Sequence, residues 1–306
     1  MKFQKDVSLK KYTTFRIGGK AKYFFSAKNK EELALAVKSA EEMNLPFFVL
    51  GQGSNVLVSD EGFKGLVIKM QNSKIKMQNE KSKCKIFAEA GALLAKLVKF
   101  SKNKGLTGLE WAAGIPGSVG GAVFGNAGAF GKSMDDIVKK IEVFETKSLK
   151  FKHYTAKECS FNYRKSLFKR RKGLIIFSIT LGLKKGNKKN IQKKIKEYLT
   201  YRKERHPLDF PSAGSVFKNP KGFSAARLGD EDKSSSSSFA AARLIEKCGL
   251  KGKRIGGVKI SEKHANFIVN LGSGRAEDVR KLMNLTKQKV KNKFKIILEE
   301  EIRFLK

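Results

Sequence analysis

The sequence predicts an α+β chain whose strands come in groups and not in regular alternation with helices. Three observations predict it. Apolar runs of strand length occur at residues 47–50, 65–70, 141–144 and 174–183. Helical periodicity is confined to a few separate stretches, at 31–43, 93–101, 191–205, 241–248 and 276–293. A turn at 51–55 and a glycine- and alanine-rich stretch at 112–131 separate the strand and helix signals.

In chain order, residues 22–25 read as a strand. Residues 31–43 read as a helix with Leu33, Val37 and Ala40 on one side. Pro46 introduces a buried strand at 47–50, 51–55 is a turn, and strand character resumes at 56–58 and 65–70. The polar stretch 71–83 reads as a surface loop or an irregular hairpin. A helix at 93–101 is closed by Gly105, and strands follow at 141–144 and 174–183. The polar run 184–190 marks a domain boundary before a helix from about 191 to 205. Beyond a turn region rich in Gly, Ser and Pro, we expect a helix at 241–248 and strands at 257–260 and 266–270. A helix at 276–293 and a final strand at 296–304 complete the chain. FSAARL at 223–228 recurs as FAAARL at 239–244, separated by GDEDKSSSSS. Two copies of six residues cannot stack into a solenoid. The repeat reads as a lengthened loop, mobile and dispensable for folding.

The 306 residues, 41% of them hydrophobic, are enough for two or three compact units. Apolar runs such as 174–180 are too short to span a bilayer, and the first 15 residues hold no apolar stretch of signal-peptide length. We therefore expect a soluble, cytoplasmic protein. The three cysteines, Cys84, Cys159 and Cys248, lie far apart without a Cys-x-x-Cys. They suggest neither a disulfide framework nor a zinc site. The formal charge of +37 points to anionic partners: nucleic acid, a membrane surface or a phosphorylated small molecule. The bland alternative is a set of lysine-covered solvated faces, and the lysines are indeed spread along the whole chain. No zinc-finger or RNP-type signature accompanies them. We expect a small-molecule substrate, no nucleic acid, no membrane and no obligate protein partner.

Three segments carry chemistry. The first is Gly51, Gln52, Gly53, Ser54 and Asn55, after the strand at 47–50. Glycines there permit a sharp turn and a close approach to a ligand, and successive N–H groups form a concavity suited to a pyrophosphate. An ordinary tight turn is the alternative. No Gly-Lys-Ser/Thr follows, so it is not a Walker A loop. The next residues, Val-Leu-Val, read as a strand, which excludes the Rossmann fingerprint. The second segment is GIPGSVGGAVFGNAGAFG, from Gly114 to Gly131. So much Gly and Ala suits backbone pressed against a flat or phosphorylated ligand, with Gly117, Ser118 and Gly120 as N–H donors; a tightly packed helix turn is the alternative. The third is PSAGSVFKNP, 211–220. Ser215 has no His and Asp at triad-like places, which argues against an activated nucleophile and suits proton delivery; a structural serine in a Gly/Pro turn is the alternative.

Together with TTFRIGG (13–19), FNYRKS (161–166), HANFIVN (264–270) and EEIRF (300–304), these segments resemble the UDP-N-acetylenolpyruvoylglucosamine reductases, in that family's order and along nearly the whole chain. The length matches the short form of the family. The resemblance implies an FAD-binding fold of the vanillyl-alcohol-oxidase (PCMH) type in two subdomains, 1–70 and 71–187, and a C-terminal α+β substrate-binding domain at 188–306. It implies an NADPH-dependent flavoenzyme that reduces the enolpyruvyl ether of UDP-N-acetylglucosamine to UDP-N-acetylmuramate. FAD contacts would come from Gly51, Gln52, Gly53, Ser54, Asn55, Gly114, Ile115, Pro116, Gly117, Ser118, Gly120, Gly121 and Asn126. The family's catalytic arginine falls on Arg164, its serine proton donor on Ser215 and its C-terminal glutamate on Glu301. Lys218 and Asn219 fall on substrate contacts, and no metal is implied. Neither His nor Cys occurs in the two glycine-rich loops, so the FAD is expected to be non-covalent; flavin oxidases of the same scaffold often carry a covalent link. The sequence departs from the family at His206, where glutamine usually precedes the proline. His264 reads as a turn-fixing residue, since no second ligand lies near it in sequence.

Overall fold

The structure is a computed structural model that describes residues 1–80, 83–220 and 240–306. The first copy of the internal repeat and the serine run lie outside the described residues. The second copy opens the helix Ala240–Lys247.

Two compact units are present, each assembled from separated segments. The first comprises Met1–Val7, Ala21–Gln52 and Lys64–Glu204, and the second Ser8–Lys20, Gly53–Phe63 and Arg205–Lys306. The sequence boundary expected at 187/188 thus differs from this grouping. Strand Leu174–Lys185 and helix Lys188–Arg205 follow each other closely, and residues 188–204 of the helix belong with the first unit. Ile191 is buried there, and Arg202 donates from Nε to the Ala113 carbonyl at 2.8 Å.

The first unit contains two large sheets and a two-stranded hairpin, Gly128–Ala129 with Lys132–Ser133. One large sheet is four-stranded, in the order Gln4–Ser8, Lys20–Ala27, Phe63–Met70, Phe47–Leu50. Helix Lys30–Glu42 packs Leu33, Ala36, Val37 and Ala40 into its core. Those positions follow the i, i+3, i+4, i+7 stripe of a helix buried on one side. Asn29 caps it, accepting from the Glu32 N–H at 2.8 Å. The other sheet runs Lys150–Thr155, Val138–Glu145, Leu174–Lys185, Lys83–Glu89, Ile75–Glu80. The polar stretch 71–83 therefore resolves toward the hairpin, with a continuous register from Ile75↔Ala88 to Glu80↔Lys83.

The second unit holds a four-stranded sheet in the order Ser212–Ser215, Phe267–Asn270, Val258–Ile260, Arg254–Ile255. Helix Ala276–Phe294 buries Val279, Leu282, Met283 and Val290 in a core shared with Phe15, Ile17 and Leu57. The early segments are tied in by polar contacts. Asn270 donates to the Phe15 carbonyl at 3.0 Å, and Thr14 to the Ser212 carbonyl at 2.7 Å. The Asp60 carboxylate accepts the Ala276 and Glu277 N–H groups, capping the long helix. The strand expected over 296–304 shrinks to Arg303–Leu305, paired in parallel with Val56–Val58. Among the described residues, those before it meet an isolated bridge, Phe217↔Glu300, and no continuous ladder forms there until residue 303.

Candidate active site

The first glycine-rich loop leaves the four-stranded sheet at Leu50. Gly51 approaches Ser118 so closely that a β-carbon on Gly51 would lie 2.4 Å from the serine oxygen. Its carbonyl accepts from the buried ammonium of Lys69, on the neighbouring strand. Burial lowers the pKa of Lys69. No carboxylate pairs with Lys69 among the described residues. Gly53 has φ +62°, a region that only glycine enters freely. The N–H groups of Gln52, Gly53 and Asn55 meet no acceptor among the described residues. The Asn55 side chain is already used, donating to the Glu301 carbonyl at 3.1 Å.

The second loop divides its residues between exposure and packing. Gly117 and Ser118 keep N–H groups without acceptors among the described residues. Gly120 does not: its N–H donates to the Ala90 carbonyl at 2.8 Å, and a β-carbon there would come within 2.6 Å of that of Ala90. The expectation that Gly120 offers its N–H to an anion is corrected accordingly; close packing against strand-end Ala90 is what requires the glycine. The Gly121 N–H is taken by the Ser118 hydroxyl, which caps the short helix Val119–Gly125. Gly114 lies against Arg202, and the Ile115 N–H, just before Pro116, donates to the Ala112 carbonyl at 3.1 Å. Asn126 ends the helix at φ +44° and is almost wholly buried. It donates to the Asn162 carbonyl and accepts from the Asp135 N–H, both at 3.1 Å, so its amide braces neighbouring turns.

Arg164 stands on one of those turns, in the first unit. Asn162 and Lys165 exchange backbone hydrogen bonds at 3.1 and 2.9 Å, leaving Tyr163 and Arg164 as a two-residue loop. Arg164 has φ +53° and donates from Nη2 to the Gly128 carbonyl at 3.1 Å. The fully buried Ser166 anchors the turn through a 2.7 Å bond to the Phe124 carbonyl.

The second unit brings Ser215 and Glu301 onto adjacent backbone segments. The Glu301 N–H donates to the Val216 carbonyl and the Lys218 N–H to the Glu299 carbonyl, each at 2.8 Å. Ser215 ends its strand after Gly214, which has φ +76°, and its hydroxyl makes no hydrogen bond to the described residues. Lys218 pairs with Glu299 at 2.9 Å. Asn219 accepts from the Ala241 N–H at 3.2 Å, near the start of helix Ala240–Lys247. The segment is clasped by Asn266, which sequence reasoning missed. Its amide accepts from the Phe217 N–H at 3.0 Å and donates to the Phe217 carbonyl at 2.8 Å. The available signals were its place in the motif HANFIVN and its position as a polar residue just before the apolar stretch Phe267–Val269.

Residues 206–305 match the description UDP-N-acetylenolpyruvoylglucosamine reductase, C-terminal domain, and residues 21–147 match FAD binding domain. The chain is 38% identical, over 97% of its length, to the UDP-N-acetylenolpyruvoylglucosamine reductase of Lachnoclostridium phytofermentans, covering 91% of that protein. It is 41% identical to the enzyme of that name from Carboxydothermus hydrogenoformans, over 96% of this chain and 91% of the relative. This chain belongs to the UDP-N-acetylenolpyruvoylglucosamine reductase family. The crystal structure of UDP-N-acetylenolpyruvylglucosamine reductase from Thermus caldophilus superposes with a TM-score of 0.80, at 36% identity and with all of both chains covered. The expected fold class therefore holds: an α+β flavoprotein with an FAD-binding domain and the family's C-terminal domain.

In this reductase the first unit fits a flavin diphosphate. Among the described residues the N–H groups of Gln52, Gly117 and Ser118 meet no acceptor and the Lys69 ammonium meets no carboxylate, and all are suited to an anion. The family departure at His206 is accommodated in the second unit. Its ring lies 5.4 Å from that of His264 and 5.1 Å from Phe267. His264 fixes a turn, as expected, accepting at Nδ1 from the Asn266 N–H at 3.3 Å. Among the described residues no group of three His, Cys, Asp or Glu side chains can hold a metal. No helix among them is long and apolar enough to cross a membrane.

Proposed function

We propose that this chain is a cytoplasmic, NADPH-dependent flavoenzyme that reduces UDP-N-acetylglucosamine enolpyruvate to UDP-N-acetylmuramate in peptidoglycan synthesis. Family membership over nearly the whole chain supports the reaction. The observation that carries the residue-level reading is Ser215, whose hydroxyl makes no hydrogen bond among the described residues and which lies one hydrogen-bonded segment away from Glu301. The two subdomains at 1–70 and 71–187 are supported by the two sheets, which draw on residues 4–70 and 75–185.

When bound, FAD would supply hydride-transfer chemistry between the nicotinamide and the terminal vinyl carbon of the enolpyruvyl group. Loops 51–55 and 114–121 hold the cofactor without a covalent link, since neither contains His or Cys. Asn126 supports this site by bracing the turns next to it. Addition at the vinyl carbon drives negative charge toward the substrate carboxylate. Arg164 and Glu301 stabilise that enol-like species, Arg164 by charge and Glu301 as a hydrogen-bonded partner. Ser215 donates its proton to the adjacent carbon, completing the addition across the double bond. Lys218 and Asn219 contact the substrate beside Ser215, and the positive chain favours UDP and NADPH phosphates.

Ser215→Ala separates the two halves of the cycle. NADPH should still bleach the flavin absorbance at the parental rate. Recovery of that absorbance on adding the enolpyruvyl substrate, followed anaerobically by stopped flow, should slow by about 100- to 10,000-fold, the usual loss on removing a placed general acid. Ser215→Cys should keep more activity than alanine. Recovery of the alanine variant at the parental rate would remove Ser215 from the proton-donor role. Acid precipitation of the parent should leave the yellow colour in the supernatant; colour kept in the pellet would mean a covalent flavin.

A further inference from the structure

The turn that carries Arg164 is joined to a second turn, and both contain a residue in a strained backbone conformation. Strands Gly128–Ala129 and Lys132–Ser133 pair in the register Lys132↔Ala129 and Ser133↔Gly128, so Phe130 and Gly131 are the two loop residues. Their φ values are +52° and +72°. Two positive φ angles are the type I′ pattern, which favours Asn, Asp or Gly at the first position. A bulky residue there is an outlier. Phe130 is also 38% exposed, so filling a core does not explain it.

Its neighbours do. The Phe130 ring stacks on Tyr198 at 4.1 Å between centroids, with 21° between planes. Tyr201 meets it edge-on at 5.3 Å, and the Arg202 guanidinium carbon lies 5.4 Å from its centroid. Residues 198, 201 and 202 are neighbours on one side of helix Lys188–Arg205. Arg202 is itself held by the Ala113 carbonyl, so the ring docks on a fixed surface. At the base of the same hairpin, the Gly128 carbonyl accepts from Arg164 Nη2 at 3.1 Å. Asn126, two residues before Gly128, donates to the Asn162 carbonyl at the start of the Arg164 turn. Asn126, Phe130 and Arg164 are thus three non-glycine residues of positive φ in one connected structure. Strain of this kind persists where surrounding contacts over-determine it.

We propose that Phe130 is a positioning residue for Arg164: docked on Tyr198, it fixes the hairpin whose Gly128 carbonyl sets the direction of the guanidinium. The inference rests on the charge-stabilising role of Arg164 given above.

Phe130→Asn tests it, because asparagine before Gly131 suits the type I′ turn while the ring is removed. The holoenzyme variant should melt no lower than the parent, and NADPH should bleach its flavin at the parental rate. Recovery of the absorbance with the enolpyruvyl substrate should show a limiting rate about 10- to 100-fold lower, the order expected when a stabilising group is misplaced by about 1 Å. The half-saturating substrate concentration should stay unchanged. Phe130→Tyr keeps the stack and should recover most of the rate. Arg164→Met serves as reference, and adding Phe130→Asn to it should cause no further loss, since Phe130 acts only through the guanidinium. A parental limiting rate in Phe130→Asn beside a slow Arg164→Met overturns the proposal. So do additive losses in the double variant, a raised half-saturating concentration at parental limiting rate, or a melting loss of several degrees. A parental rate in Arg164→Met places the failure in the reading of Arg164, and the positioning role falls with it.

Discussion

At the residue scale, the most demanding side chains are the buried polar ones. Asn126, Asn266 and Asn270 each satisfy backbone groups at both ends of a short amide, which a buried site requires. His264 belongs to the same class and makes stability depend on pH. Burial pushes its imidazole from the ordinary 6.5 down to about 4, and nearby Lys251 acts in the same direction. The unfolded chain therefore binds a proton below about 6.5, while the folded chain resists until about 4. Neutral His264 contributes its full stabilisation above the unfolded value, and the contribution is lost as pH falls through this window. Its size is about 3 kcal/mol, from roughly 1.4 kcal/mol for each pH unit of the window. Melting temperature measured from pH 7 down to pH 4.5 should fall, and His264→Asn should flatten the slope. An equal slope in the variant would assign the acid sensitivity to other groups.

At the scale of elements, what could be read depended on whether one face is buried. The helices at 30–42, 94–103 and 276–294 have apolar stripes at helical spacing, and their expected bounds agree with the structure to within two residues. Strands Gln4–Ser8 and Lys150–Thr155 were not anticipated. Both lie at sheet edges and leave most side chains exposed, so neither shows the apolar alternation of a half-buried strand. The strand expected over 296–304 shows the opposite failure. Ile296, Ile297 and Leu298 look like a strand, yet Ile297 is 72% exposed and the segment has no continuous strand partner among the described residues. Periodicity reports burial, and a ladder also needs a neighbour.

For the whole molecule, the decisive fact is that the chain passes between the two units five times, at 7/8, 20/21, 52/53, 63/64 and 204/205. A fragment of residues 205–306 would lack Phe15, Ile17 and Leu57 from its core. Each such side chain contributes about 1.5–3 kcal/mol when buried, against a typical total stability of about 5–15 kcal/mol. The strand Arg303–Leu305 would lose its ladder, and helix Ala276–Phe294 the Asp60 cap. The fragment should therefore show weak amide dispersion and no cooperative melting. A sharp two-state transition would mean that the early segments are accessory to this core.

The sequence by itself determined the class, the family and the ordered motifs. Apolar periodicity, glycine placement and residue identity are local properties, and seven motifs in one order leave little room for another fold. Its candidate residues Arg164, Ser215 and Glu301 were named from the motifs alone. Tertiary structure alone decided what each glycine and asparagine does. Gly120 packs where an anion donor was expected, and Asn126 braces turns. Asn266 clasps a segment that the sequence puts 49 residues away, and Phe130 docks on a helix. Hydrogen-bond partners and ring contacts join positions far apart in the chain, and nothing in local spacing records which distant group will meet them.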